Sequence, residues 1–352
     1  MVAESSRGSC ALSLFLVFSG TMLPLTANAA SCKTQSQMIP VQRDALTNVA
    51  RVMIGEVESG DSQTLRASTI PAVAADFSGI ASSIDTLKPL VQHATITIDS
   101  LYALDASTEP AGVARTDFYC GTPVVVLSFT DLPPASYALV ILHATGVPKP
   151  QQISLILCES ADHRWMLGGF FSKPMTDGGH DGLWYWVSAR KFAQKNMNWD
   201  AWFYYRMAAY FLDPVDFLSS PNLDKLQHET ERVKPTDLPG TQQPLIIGSQ
   251  GSVFRVTAVN TTTTFGALDL DVQYSPDQAQ ATQLHDPPIA RKQVTQVMTA
   301  LLSLHPELHD AFHGIWVHAD QGSVSLFSLE LPMDQIVPGA SSTAISSNPT
   351  LR

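Results

Sequence analysis

The hydrophobic period of the chain changes abruptly near residue 93, and that change restricts the fold more than any other feature. Leu46, Val49, Ala50, Met53, Ile54 and Val57 recur at i, i+3, i+4 and i+7, and Phe77, Ile80, Ile84, Leu87 and Val91 keep the same spacing. Amphipathic helices are therefore predicted over 41–58 and 73–92, with Pro89 weakening the last turn of the second. From residue 94 the period becomes that of strands. ATITIDSLYALD, PVVVLSFTDL, SYALVILHATG, QQISLILCES and HRWMLGGFFS are β-branched or aromatic runs, divided by the Pro- and Gly-bearing breaks STEPAG, LPPAS and GVPKPQQ. This predicts a meander of five antiparallel strands. Helices followed by such a sheet specify an α+β unit over 40–175, with the helices packed on one face of a curved antiparallel sheet.

Residues 181–234 form a second region, an aromatic helical segment of two helices and part of a third. Twelve aromatic side chains fall between Trp184 and Phe217. The 199–212 helix carries Trp199, Trp202, Phe203 and Tyr210 on one face and Tyr204, Tyr205, Phe211 and Leu212 on the other. A helix apolar nearly all round is buried on two sides, so this one is expected to glue together the units before and after it. KPTDLPGTQQP then reads as a linker. Beyond it, GSVFRVTAV, GALDLDVQY, a helix through Val294, Val297, Met298, Leu301 and Leu308, GIWVHAD and SVSLFSLEL predict a small C-terminal ββαββ domain over 245–336. The last stretch, 337–352, has no periodicity and is expected to be disordered.

Residues 1–29 have the layout of an export signal: an apolar run from Ala11 to Phe18, Pro24 as a helix breaker, and small residues at Ala27 and Ala29 for cleavage before Ala30. The run is too short to span a bilayer, so the mature chain should carry no transmembrane anchor. Ala29-Ala30-Ser31-Cys32 is also a degenerate lipobox, the alternative being a lipoprotein attached at Cys32. Location is thus periplasmic or secreted. Of the four cysteines, Cys10 leaves with the signal, and Cys120 and Cys158, both near predicted strands, form the expected disulfide. With a net charge of −11 and no basic run, nucleic acid is disfavoured as a partner.

Candidate chemistry is sparse. HPELHDAFHGIWVH places His309-Asp310-x-x-His313 in imitation of a zinc-binding helix. Asp310 stands where Glu is usual and Gly314 ends the helix at once, so His309 and His313 read first as helix-end histidines and no metal or other cofactor is expected. In DGGHDG, His180 and Asp181 could serve as a general base and its neighbour, although Asp181 also suits the N-cap of a helix starting near Leu183. Trp184, Trp186, Trp202 and Tyr205 could form an aromatic binding surface. No nucleophile elbow and no phosphate loop is present.

In element order, residues 40–172 resemble the NTF2-like (cystatin-like) cone fold, which implies an enclosed apolar pocket and no particular reaction. The 183–216 stretch is similar to a tetratricopeptide-type helical hairpin, with Trp186, Ala209 and Pro214 at matching places and Ala193 and Trp202 departing from the pattern. The whole chain resembles exported proteins of the bacterial cell envelope. The function expected is that of a non-catalytic binding or scaffold protein taking a small apolar ligand or a partner protein. The alternative is a periplasmic hydrolase using His180 or the His309/His313 pair.

Overall fold

The fold, seen in a computed structural model, is α+β and is described for residues 30–249 and 251–336. The expected signal segment 1–29 and the expected disordered tail 337–352 lie outside the described residues. β1 (Ser31–Thr34) precedes four helices, α1 (Pro40–Ser59), α2 (Ser62–Ala67), α3 (Pro71–Ala74) and α4 (Ser78–Val91). Pro40 opens α1 at a position whose N–H has no partner in any helix. Gly60 ends it in the left-handed conformation, φ 75°, its N–H turned back to the carbonyls of Glu56 and Val57. Pro89 is tolerated within α4 because it removes a single bond from the last turn.

Next come β2 (Thr95–Asp105), β3 (Arg115–Cys120), β4 (Val125–Thr130), β5 (Ser136–Thr145), β6 (Gln151–Glu159) and β7 (Trp165–Pro174). The main sheet has five antiparallel strands in the order β1-β2-β5-β6-β7. The run PVVVLSFTDL, expected inside this meander, instead forms β4 and pairs with β3 in a separate small sheet. Burial explains the departure. Along β5, Ala138, Val140 and Leu142 pack against α1 and α4, while Tyr137, Leu139 and Ile141 point to the opposite face. A strand apolar on both faces needs a cover on each. The β3–β4 hairpin supplies the second cover with Phe118 and Leu127, both fully buried.

The disulfide follows from that arrangement. Cys32 on β1 joins Cys120 at the end of β3, with Cα atoms 5.1 Å apart, and ties the edge of the main sheet to its covering hairpin. The expected Cys120–Cys158 pair does not form. Cys158 sits on the inner strand β6, opposite Tyr137 and Met166, and keeps a half-buried thiol. Because a diacylglyceryl thioether would consume the same sulfur, this bond and a lipid on Cys32 exclude each other.

A short hairpin, β8 (Thr176–Asp177) and β9 (His180–Asp181), leads into α5 (Gly182–Gln194) and α6 (Asn198–Leu212); β10 (Leu218–Ser219) and α7 (Pro221–Val233) complete the helical segment. β10 adds to β4 in the covering sheet. The C-terminal unit comprises β11 (Leu245–Ser249), β12 (Ser252–Thr262), β13 (Asp269–Ser275), α8 (Gln278–Gln283), α9 (Pro287–Leu304), α10 (Leu308–Ala311), β14 (Gly314–Gln321) and β15 (Val324–Pro332). Its strands lie in sequence order, all antiparallel except β13–β14. The helices between those two strands provide the crossover a parallel pair needs. The unit has one strand more than the expected ββαββ, since Leu245, Ile246 and Ile247 pair with β12.

The aromatic segment is not shared equally between the two flanking units. Phe203, Tyr204 and Phe211 belong to one continuous core with α9 and the C-terminal sheet, whereas contact with the N-terminal core comes from Val215, Phe217, Leu218 and Leu223, beyond the end of α6. Two faces of α6 are not equally buried either: Tyr210 is 52% exposed and Trp202 is only half-buried, its ring covered by the Arg206 guanidinium at 4.9 Å. Trp202→Ala is accordingly expected to cost about 2 kcal/mol, below the 3–5 of a fully buried aromatic, as read from the midpoint of urea unfolding.

Candidate binding cleft

Beyond Ile141 the second face of the main sheet is no longer covered by the β3–β4 hairpin, and a cleft of about 550 Å³ opens there. Its floor is Tyr102, Ile141, His143 and Gln152 from β2, β5 and β6. Its roof is the helical segment: Leu183 and Trp186 of α5, Phe211 and Leu212 of α6, and Leu223 in the first turn of α7. Gly182 makes the roof compact, because a Cβ there would stand 2.7 Å from Leu212 Cγ and 2.9 Å from Phe211 Cβ. The two halves are tied beside the cleft by the Gln152 amide, which donates to the Pro214 carbonyl at 3.2 Å.

Charge at the cleft is one-sided. Among the described residues, Asp99 and Asp181 line it and no Lys or Arg does; His143, on the floor, stands 3.7 Å from Asp99. The first turn of α7 also faces in, with the Ser220 hydroxyl already accepting the Leu223 N–H. A helix start carries roughly half a positive charge, which two carboxylates outweigh.

Trp186 is the best-anchored wall residue. Its indole N–H donates to Glu229 Oε2 at 2.7 Å, and Arg190 holds both oxygens of the same carboxylate at 2.8 and 2.9 Å while its guanidinium lies 4.5 Å over the Trp186 ring. The Glu229 carboxyl is held below its ordinary range, the Arg190 and Trp186 donors outweighing the opposing effect of burial. Tyr205, expected as a binding residue, lies behind this group, 2% exposed, with burial pushing its hydroxyl up to about 12. Glu229→Ala should therefore lower stability by about 2–3 kcal/mol on chemical denaturation. The loss is less than for a fully buried pair because Arg190 is 38% exposed and can return to water.

The remaining candidates are scattered. His180 stacks on Trp184, centroids 3.4 Å apart and rings 2° from parallel, and Trp184 itself is 39% exposed. The Asp181 carboxylate accepts the Trp184 N–H at 2.8 Å as the N-cap of α5. His309 and His313 do not share a helix, since α10 ends at Ala311 and the chain is extended by Phe312 to enter β14. His309 pairs with its neighbour Asp310 at 3.0 Å, whereas His313 Nδ1 lies 3.0 Å from Asp269 Oδ1 on β13. Of the candidate catalytic, binding and metal residues named from sequence, only Asp181 and Trp186 line the cleft. Its floor was missed, although the unbroken apolar run Tyr137–Leu142 already requires a second covered face. No helix among the described residues is long and apolar enough to cross a membrane. No family model, curated protein or solved structure matches the chain.

Proposed function

We propose that this chain is an exported, non-catalytic binding protein of the bacterial cell envelope, whose N-terminal unit, a cone of the NTF2-like kind, holds a small amphiphile under the helical segment. The observation that carries this reading is the cleft. At about 550 Å³ it lies within the ~300–1,000 Å³ of small-molecule sites, with apolar walls and a few convergent polar groups. Asp99 and Asp181, with no Lys or Arg among the described lining residues, select an apolar body with a neutral or cationic end and reject an anionic one. His180 and Asp181, the pair a hydrolase would have used, are engaged as a ring stack and a helix cap.

Export is supported by the Cys32–Cys120 bond, which needs an oxidising compartment to persist. It is supported too by Ala30, whose backbone nitrogen already lies 2.7 Å from Glu109 Oε1, so that cleavage before Ala30 would place the new ammonium group on a carboxylate. Mass spectrometry of the mature protein should find Ala30 at its start and no diacylglyceryl mass.

The binding reading is tested with two probes of one shape. N-phenylnaphthylamine is neutral and its anilinonaphthalene sulfonate analogue is anionic. Calorimetry on the mature chain is expected to show one equivalent of the neutral probe and at least about tenfold weaker binding of the sulfonate. Equal binding of both, or preference for the sulfonate, would remove the charge argument.

A further inference from the structure

The geometry points to a divalent-cation site at one end of the C-terminal sheet, formed by Asp269, His313 and Glu330 and suited to a first-row transition ion such as zinc. One donor atom from each of these three side chains lies within 4.8 Å of the others. The sheet topology assembles them. Parallel pairing sets Leu270 against Ile315, which brings Asp269 at the start of β13 level with Gly314 at the start of β14. Antiparallel pairing sets Glu330 of β15 against Trp316, two residues further along the same strand. His313 immediately precedes Gly314, and its N–H donates to the Leu268 carbonyl at 2.9 Å.

Gly314 is what lets the carboxylates share this space. A Cβ there would stand 2.7 Å from Glu330 Oε1 and 3.0 Å from Asp269 Oδ1, so both oxygens converge on a position only glycine leaves open. Asp269 is fully buried. Its Oδ2 and the Glu330 Oε1 have no hydrogen-bond partner. Among the described residues, the cation paired with these two carboxylates is His313. A buried oxygen without a partner is destabilising, more so when charged, and a divalent ion at this point would satisfy Glu330 Oε1 and offset the charge of the Asp269 carboxylate.

The donor set indicates the class of ion. Two carboxylate oxygens and an imidazole nitrogen suit zinc and its first-row neighbours better than calcium or magnesium, which prefer oxygen throughout. His313 Nδ1 and Asp269 Oδ1 are 3.0 Å apart, near the separation of about 3.3 Å between two ligands of a tetrahedral zinc with bonds of about 2.0 Å. The three donor atoms together lie within 4.8 Å of one another. The His313 side chain is 51% exposed, which leaves a side for an ion to enter and for water to complete the coordination.

The test is a titration of the metal-stripped mature chain with zinc chloride, followed by calorimetry and by the thermal midpoint, with circular dichroism to verify folding. One zinc per chain and a rise of several degrees in the midpoint are expected. His313→Gln and Glu330→Gln should each weaken binding by more than about tenfold, while His309→Gln leaves it unchanged. Should Glu330→Gln fail to fold, the half-exposed His313→Gln carries the comparison. The site is overturned by no stoichiometric binding at millimolar zinc, by full affinity in the folded His313→Gln protein, or by equal loss in His309→Gln.

Discussion

Replacing Cys120 by Ala is expected to lower the unfolding free energy by about 4–5 kcal/mol, because the Cys32–Cys120 bond closes a loop spanning 88 residues. Within that loop lie α1 to α4 and the long strand β2, so opening it frees a large share of the N-terminal unit in the unfolded chain. Native geometry adds to the effect. β1 is only four residues long and sits at the sheet edge, and without the bond little besides its ladder to β2 holds it. Urea unfolding of both proteins under non-reducing conditions measures the difference. Alkylation of the unreduced, unfolded mature chain should label Cys158 alone; labelling of Cys32 and Cys120 as well would refute the pairing and remove the strongest support for export.

Asp200→Asn should stabilise the protein, and by more as pH rises. Asp200 lies in the first turn of α6, fully buried, and both of its carboxylate oxygens lack a hydrogen-bond partner. Burial, reinforced by the nearby Glu307 and Asp310 carboxylates, pushes its carboxyl up to about 7. In the unfolded chain it ionises near pH 4. Below about pH 4 both states hold the proton and the group has no effect on the pH dependence. Between about 4 and 7 the unfolded chain loses its proton first, so the native protein loses about 1.4 kcal/mol of stability per pH unit from this group. Above about 7 the loss is constant, on the order of 4 kcal/mol. The Asn variant should show a flatter profile and a gain of that order at pH 8. A pH profile identical in the two proteins would mean that Asp200 is solvated or paired.

The parts of the fold that were legible in the sequence are those where one element writes its own pattern. Leu46, Ala50, Met53, Ile54 and Val57, read as the inner face of a helix, are all buried in α1. β1 was not legible, because four residues set no period and the apolar run before it dominates the stretch. The disulfide depended on it: Cys32 finds Cys120 only after β1 takes the sheet edge and the β3–β4 hairpin folds across the sheet. The sites were less legible for the same reason. The cleft draws Asp99, Ile141, Trp186 and Leu223 from four separate elements, and Asp269 meets His313 across 44 residues through a parallel strand pair. A histidine-rich window did point at His313, but local spacing attached it to His309, on a helix that ends at Ala311.

The proposed function is tested most directly by closing the cleft without touching its anchoring groups. Leu223 is half-buried in the first turn of α7 and lines the cleft opposite the sheet. Leu223→Trp adds bulk there and leaves the Trp186–Glu229–Arg190 group intact. Calorimetric titration with N-phenylnaphthylamine is predicted to give one equivalent bound to the wild-type mature chain and at least about a tenfold weaker response in the folded variant. Equal affinity and stoichiometry in the two proteins would place binding elsewhere and contradict the assignment of this cleft.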